Sequence, residues 1–368
     1  MASFDNVRGI TLTRSLIAHL YESMKAALKT NLFQGKPMRS QRTPEKNCRL
    51  RISFITLIVP FFLFAGTEQT DAQTPKRLIF ALSTKDPSTV PILIASHLGY
   101  FKDEGIDANI VLMRSDIGVK GLVTGDVDFA SSISSVVKAT AVGIPVRTIL
   151  NFFNGSFFYL ITKPVITNVE QLRGKMVGVS RYGSAADFDA RATLRHFGID
   201  PNKDVKILAA GSPASRISAL ISGHIDAAIL SSTEKLPAEE AGMKSLLFTG
   251  QYVKQPVGGL GTSVQGIVDK REDLRKGVRA VYRGLLATRA QRDRVRSVFE
   301  KELVLKPEQF NGIYEDTIRV LLPNGTIDLE SLREPYEDAR KAATNPPQVP
   351  LGALVDYSIL DEVRKTIK

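Results

Sequence analysis

The feature that most constrains this chain is a pattern written twice, about a hundred residues apart. LVTGDVDFA (122–130) aligns with LISGHIDAA (220–228), and leucine, a hydroxyl residue, glycine, a β-branched residue, aspartate and alanine keep register. Gly-Ile-Asp stands before a following strand in both copies, at 105–107 and 198–200. A solenoid repeats every ~20–45 residues, so this interval suits two similar lobes instead. Gly125 and Gly223 fall where a helix should end and the chain turn, a place for a residue free to adopt positive φ. Asp128 and Asp226 open short strands, and their carboxylates are expected to cap local backbone amides rather than to meet a ligand.

Around these anchors the chain alternates β-rich runs with helical stretches. LIFALS (78–83), ANIVLM (108–113), VDFA (127–130) and VRTILNF (146–152) read as strands, separated by helices over 90–101, 117–124 and 135–142. MVGVS (176–180), VKILAAG (205–211) and IDAAIL (225–230) then read as strands around helices over 185–197 and 213–222. Strands spaced by helices of this length imply right-handed βαβ crossovers and mostly parallel sheets. FFYLITKP (157–164) leads into the second copy, and the Gly- and Pro-rich FTGQYVKQPVGGLGTS (248–263) leads out. Two connections are what a hinged cleft needs. The expected organisation is lobe 1 over 76–160, lobe 2 over 161–250, and a return to lobe 1 over 251–368. That return begins with a strand VQGIV (264–268), followed by helices over 271–298, 307–321, 328–343 and 353–366.

The chain's formal charge of +11 is unevenly placed. Residues 1–72 hold ten Lys/Arg and five Asp/Glu, which leaves +6 for the remainder. A basic stretch after Met38 precedes the uncharged run ISFITLIVPFFLFAGT (52–67) and a small-residue site at TDA (70–72), the order of a secretory signal. Residues 38–72 are therefore expected to be a signal peptide, with an uncleaved anchor as the alternative because of Pro60. Residues 1–37 read as an over-extended leader, or as a genuine helical one. Cys48 precedes the apolar run, so it is not placed as a lipid anchor.

Composition narrows the chemistry. One cysteine excludes a disulfide framework and a cysteine-rich zinc site. Four scattered histidines form no HxH or HExxH pair, and no metal site or cofactor is expected. His97, His196 and His224 read as structural or solvated. The basic stretch 270–296 alternates with apolar positions at helical spacing and reads as a solvated face; without tryptophan or a nucleic-acid module, nucleic acid is not an expected partner.

The stretches PILIASHLGYFKDEGIDANIVL (91–112), LVTGDVDFA with AVGIPV (141–146), LRGKMVGVSRYGSAADFDARATLRHFGID (172–200) and ISALISGHIDAAIL (217–230) together carry a family resemblance. The chain resembles the extracytoplasmic solute-binding proteins of ABC importers, in the group with aliphatic-sulfonate, nitrate and thiamine-pyrimidine-precursor binders. The likeness covers about residues 76–345, although IRVLLPNGTIDLESL (318–332) fits only loosely. It implies an α/β fold, a two-lobed periplasmic-binding-protein clamp of type II form, with a mostly parallel, helix-flanked sheet in each lobe. It further implies a periplasmic monomer that closes on a small anionic or planar molecule and hands it to an ABC permease in the membrane.

Ligands of open α/β sheets sit at the carboxyl ends of strands. The candidate contacts are accordingly Ser83, Thr84, Ser115, Ser131, Ser132 and Asn151 in lobe 1. In lobe 2 they are Arg181, Tyr182, Gly183, Ser184 and Ser231, with Ser231-Ser232 the counterpart of Ser131-Ser132. Serines at helix N-termini suit an anionic group, Arg181 a charge-assisted bond and Tyr182 a stacking contact; ordinary N-capping is the competing reading. Three alternatives share the fold: an enzyme like the fungal thiamine-pyrimidine synthases, a regulator's effector domain, and a receptor for a sensor kinase. The synthases use a cysteine-rich segment with no counterpart here, and the regulator would need a DNA-binding module.

Overall fold

The computed structural model describes residues 74–367. The leader and signal peptide expected over 1–72 lie outside the described residues. Ten strands are found among the described residues: β1 (Lys76–Leu82), β2 (Ile106–Leu112), β3 (Phe129–Ala130), β4 (Val146–Asn154), β5 (Phe158–Thr162), β6 (Met176–Val179), β7 (Lys206–Ala209), β8 (Ala227–Ser231), β9 (Lys244–Phe248) and β10 (Pro256–Ser263). They form two five-stranded sheets of matching plan, β2-β1-β3-β10-β4 and β7-β6-β8-β5-β9. In the first, β1 pairs in parallel with β2 and β3, and β10 lies antiparallel between β3 and β4. In the second, β6 pairs in parallel with β7 and β8, and β5 lies antiparallel between β8 and β9. Four strands of each sheet thus share one direction. The reversed strand is in each case the first one after the chain crosses from the other lobe, so it runs away from the cleft while the others run toward it.

The helices that connect and cover the first sheet early in the chain are α1 (Val90–His97), α2 (Tyr100–Asp103), α3 (Ser115–Thr124) and α4 (Ile133–Ala141). The second lobe carries α5 (Ala185–His196), α6 (Pro213–Ile221) and α7 (Ser232–Glu240). After β10 follow α8 (Val264–Asp269), α9 (Arg271–Ala290), α10 (Arg292–Glu302), α11 (Gln309–Val320), α12 (Arg333–Ala342) and α13 (Ser358–Thr366). Among the described residues no helix is long and apolar enough to cross a membrane.

β1 shows why the sheets must be covered on both faces. Leu78, Phe80 and Leu82 are buried in one apolar cluster while the intervening Ala81 packs in another, the two-sided burial of an inner parallel strand. Phe80 stacks on Phe129 of β3 at 4.7 Å between ring centroids, and burying a side chain of that size is worth about 1.5–3 kcal/mol. Helix α9 lies over this face through Val278, Val281 and Leu285, all fully buried. Gly284 lets it approach α1, since a Cβ there would collide with the Pro91 carbonyl. The C-terminal chain then extends the β4 edge through bridges Phe153–Leu321 and Thr148–Val355.

Two expectations need correction. VQGIV is the helix α8 rather than the returning strand: Ser263 caps it, its Oγ accepting from the Gly266 amide at 3.0 Å. The returning strand is β10, in the PVGGLGTS segment read as connection. Its glycines are there because α4 packs directly on it; a Cβ at Gly259 would strike Ile133 and the Leu150 carbonyl, and one at Gly261 would strike Val136. The single helix expected over 271–298 is two, broken at Gln291 (φ −129°, ψ 51°). The break re-aims α10 so that Val295, Val298 and Phe299 are buried.

Candidate functional site

The carboxyl ends of β1, β3, β6 and β8 face a cleft crossed by residues 155–157 on the way into the second lobe and 249–255 on the way back. Its main chamber has a volume of about 490 Å³. Lobe 1 lines it with the loop after β1 (Ser83, Thr84, Lys85, Asp86, Ser88) and with Ser131, Ser132 and Ser134 at the start of α4. Lobe 2 contributes Ser231, Ser232, Thr233 and Glu234 at the start of α7. Ser156, Phe157, Phe158, Gln255 and Pro256 form the floor where the two crossings pass. A second chamber of about 380 Å³ shares Ser134, Ala185, Gln255 and Pro256 with the first and adds Lys138, Gly183 and Ser184.

The two serine pairs have different surroundings. Ser131 donates its amide to the Ala81 carbonyl at 2.9 Å, which locks it onto β1. Its side chain is 2% exposed, and the hydroxyl has no hydrogen-bond partner. Ser132 Oγ lies 3.0 Å from Ser135 Oγ and makes no cap to the α4 amides. In lobe 2, by contrast, Glu234 reaches back to accept the Ser231 amide at 2.7 Å, and with Ser231 it forms a capping box over α7. Ser231 Oγ contacts Thr233 Oγ1 at 2.7 Å and also Glu234. Ser232 turns away from the cleft centre. It donates to the Phe157 carbonyl (3.2 Å) and to Asp316 of α11 (3.0 Å), which also accepts from Tyr159 at 2.7 Å. Burial raises both Asp316 and Tyr159, with the Asp316 carboxylate adding to the shift at the phenol.

Charge in the main chamber is mixed. Lys85 is held by Glu302 at 2.6 Å, and Glu302 also meets His97 at 2.7 Å. The hydrogen bond from Lys85, then that from His97, keeps the Glu302 carboxyl below its ordinary range against the effect of burial. Asp86 accepts the Ser88 amide at 2.9 Å; burial nevertheless raises its pKa. At the floor, Ser156 and Thr249 join the two crossings by a 2.7 Å hydroxyl contact. Asp189 of α5 sits behind them, fully buried and with no hydrogen bond of normal geometry. Burial pushes its carboxyl up to about 7, despite the two hydroxyls nearby.

Of the residues expected from sequence, Ser83, Thr84, Ser131, Ser132 and Ser231 are brought together in the main chamber, and Gly183 and Ser184 in the second. Ser184 caps α5, its Oγ accepting from the Asp187 amide at 3.2 Å. Ser115 begins α3 at the end of the edge strand β2, outside both chambers. Asn151 is fully buried in mid-strand, because β4 runs on to Asn154; its side-chain oxygen accepts from Tyr357 at 2.7 Å. Arg181 and Tyr182 are exposed on the β6–α5 loop, and Tyr182 donates to the Ile207 carbonyl at 3.3 Å. Sequence reasoning missed Asp86, Ser88, Ser156, Glu234 and Gln255. For Glu234 the signal was present: Ser231-x-x-Glu234 before a helix is a capping-box spelling. For Ser156 and Gln255 it was not, since only the fold brings the two crossings together.

A 4-amino-5-hydroxymethyl-2-methylpyrimidine phosphate synthase of Saccharomyces cerevisiae is 27% identical over 148 residues, 39% of this chain and 42% of that protein. The riboflavin-binding protein RibY of Chloroflexus aurantiacus is 28% identical over 232 residues, 59% of this chain and 63% of RibY. The chain thus spans less than two thirds of either relative. The periplasmic aliphatic sulphonate binding protein SsuA of Escherichia coli superposes with a TM-score of 0.60 at 16% identity, over 73% of this chain and 91% of SsuA. That likeness is one of fold: the two-lobed periplasmic-binding-protein clamp. The family profile described as NMT1/THI5 like matches residues 86–294, more than half of the sequence, and this chain belongs to that family.

Proposed function

We propose that this protein is an extracytoplasmic solute-binding protein, which closes on one small molecule in the main chamber and delivers it to the permease of an ABC importer. The observation that carries the reading is the hydroxyl-rich chamber between two duplicated lobes joined by two crossings. A clamp on two connections can close by bending at a few residues, here 155–157 and 249–255. Ser83, Thr84, Ser131, Ser132 and Ser231 are the proposed contacts in that chamber. The secretory order of residues 38–72 supports a periplasmic location, and the riboflavin and sulphonate binders among the similar proteins support a binding role.

The synthase relatives favour one rival, an enzyme acting on a pyrimidine precursor in the same cleft. The reading is tested by thermal shift and calorimetry of the purified chain against alkanesulfonates, nitrate, aminopyrimidines and aromatic carboxylates. A saturable rise in Tm with unchanged ligand recovered from the mixture is expected, since binding to the folded state alone stabilises it. Conversion of the ligand would favour the enzyme, and the absence of any shift would overturn the clamp.

A further inference from the structure

The lobes are duplicated, but their two cleft-facing helix N-termini are not equivalent. At α4 the Ile133 and Ser134 amides have no acceptor among the described residues, Ser132 makes no cap, and the buried Ser131 hydroxyl faces the chamber without a partner. The start of α7 differs: the Ser232 amide goes to the Phe157 carbonyl at 2.8 Å, and the Glu234 carboxylate bonds the amide of the N-cap Ser231 at 2.7 Å. Glu234 uses one oxygen on Ser231, and its other oxygen has no hydrogen-bond partner among the described residues. Arg216 is 5% exposed and its guanidinium donates to the Ile229 carbonyl; burial lowers its pKa, and the charge of Glu234 opposes that.

We infer that the clamp selects a bipolar ligand, with an oxygen-acceptor end on the open N-terminus of α4 and an amino end on Glu234. This rests on the solute-binding reading above and names the ligand chemistry of that same chamber. An open helix N-terminus attracts acceptors and negative charge, whereas a carboxylate accepts only, and repels an oxyanion placed beside it. Glu234 therefore sets a carboxylate beside the end of α7 that a simple oxyanion would approach in lobe 2. Lys85, the one cation lining the chamber among the described residues, is already bound to Glu302 and does not offset this.

The test uses the full chain, with methanesulfonate and nitrate as donor-free oxyanions and two matched pairs, taurine against isethionate and cytosine against uracil. Within each pair the amino group is exchanged for an oxygen function. Calorimetry of the wild type is expected to favour an amino member over its partner by about tenfold, the worth of one charge-assisted hydrogen bond. Glu234→Ala is expected to lose that preference and to gain methanesulfonate binding by a similar factor, because it removes the carboxylate from the end of α7. Glu234→Gln keeps an oxygen for the Ser231 amide and should lose the preference without unfolding. Oxyanions binding the wild type as tightly as Glu234→Ala, with no preference for amino members, would overturn the inference and leave the clamp standing. Failure of every probe on all three proteins would remove the clamp reading as well.

Discussion

Asp128 and Asp226 make the same set of bonds in the two lobes. Asp128 accepts the Ile79 amide at 2.8 Å and donates its own amide to the Ile79 carbonyl at 3.0 Å; Asp226 accepts the Met176 amide at 3.0 Å and returns its amide to Met176 at 2.8 Å. Each carboxylate is completed by one lysine, Lys270 at 2.8 Å and Lys163 at 2.9 Å. The aspartate thus stitches β3 onto β1 and β8 onto β6, the third strand of each sheet onto the second in sheet order, and it does so away from the cleft. This explains why the repeat preserves it.

Asp226→Asn should cost stability without costing ligand affinity. Burial alone would raise the Asp226 carboxyl, but the bonds from Lys163 and the Met176 amide outweigh it and hold the group below its ordinary range. A carboxyl lowered in the folded state adds stability above its unfolded pKa, and that stability is lost as pH falls through the folded value. Urea unfolding of Asp226→Asn is expected to show a loss of about 1–3 kcal/mol at pH 7. The difference from wild type should shrink toward acid, and an unchanged difference at low pH would contradict the account.

Ser131→Ala separates the two roles a cleft serine can have. The hydroxyl has no partner within the described residues, so its removal should leave Tm unchanged or slightly higher. Ligand affinity should fall by about 0.5–1.5 kcal/mol, the worth of one hydrogen bond. A lowered Tm with intact affinity would make Ser131 structural.

The alternation of strands and helices was legible because each lobe repeats it, and because glycines mark the turns: Gly105, Gly125, Gly198 and Gly223 all have positive φ, between 66° and 83°. What stayed illegible depends on the partner of a segment rather than on the segment itself. PVGGLGTS looks like a hinge by composition, yet becomes an inner strand of the sheet because α4 needs small residues beneath it. Asn151 looked like a strand end because nothing local says that β4 continues for three more residues. Seven of the eleven expected contacts line one chamber or the other, all of them at helix N-termini or on the loop after β1. Arg181 and Tyr182 do not, because the β6–α5 loop turns them to solvent.

Tyr357→Phe tests whether Asn151 belongs to the core. The Tyr357 hydroxyl donates to Asn151 Oδ1 at 2.7 Å and accepts the Ile327 amide at 3.1 Å. Removing it strands a fully buried amide oxygen, at a cost of about 1–3 kcal/mol. Chemical denaturation should register that loss, whereas calorimetric affinity for the ligand should not change.

Asp189→Asn is expected to stabilise the protein near neutral pH. The Asp189 carboxyl lies fully buried beside Ser156 and Thr249, where burial pushes it up to about 7. A carboxyl raised in the folded state supports stability fully below its unfolded pKa of about 4, and that support is lost as pH rises through the folded value. The wild type should therefore lose stability between about pH 4 and pH 7 through this group, by up to ~4 kcal/mol. The amide introduced by Asp189→Asn carries no such penalty and can donate to either hydroxyl. Stability curves of the two proteins should converge near pH 4 and separate progressively from there to about pH 7, with the variant more stable. Because Ser156 and Thr249 stand on the two crossings, the same variant should bind ligand with a weaker dependence on pH. Parallel curves across that range would show that Asp189 does not titrate in the folded clamp.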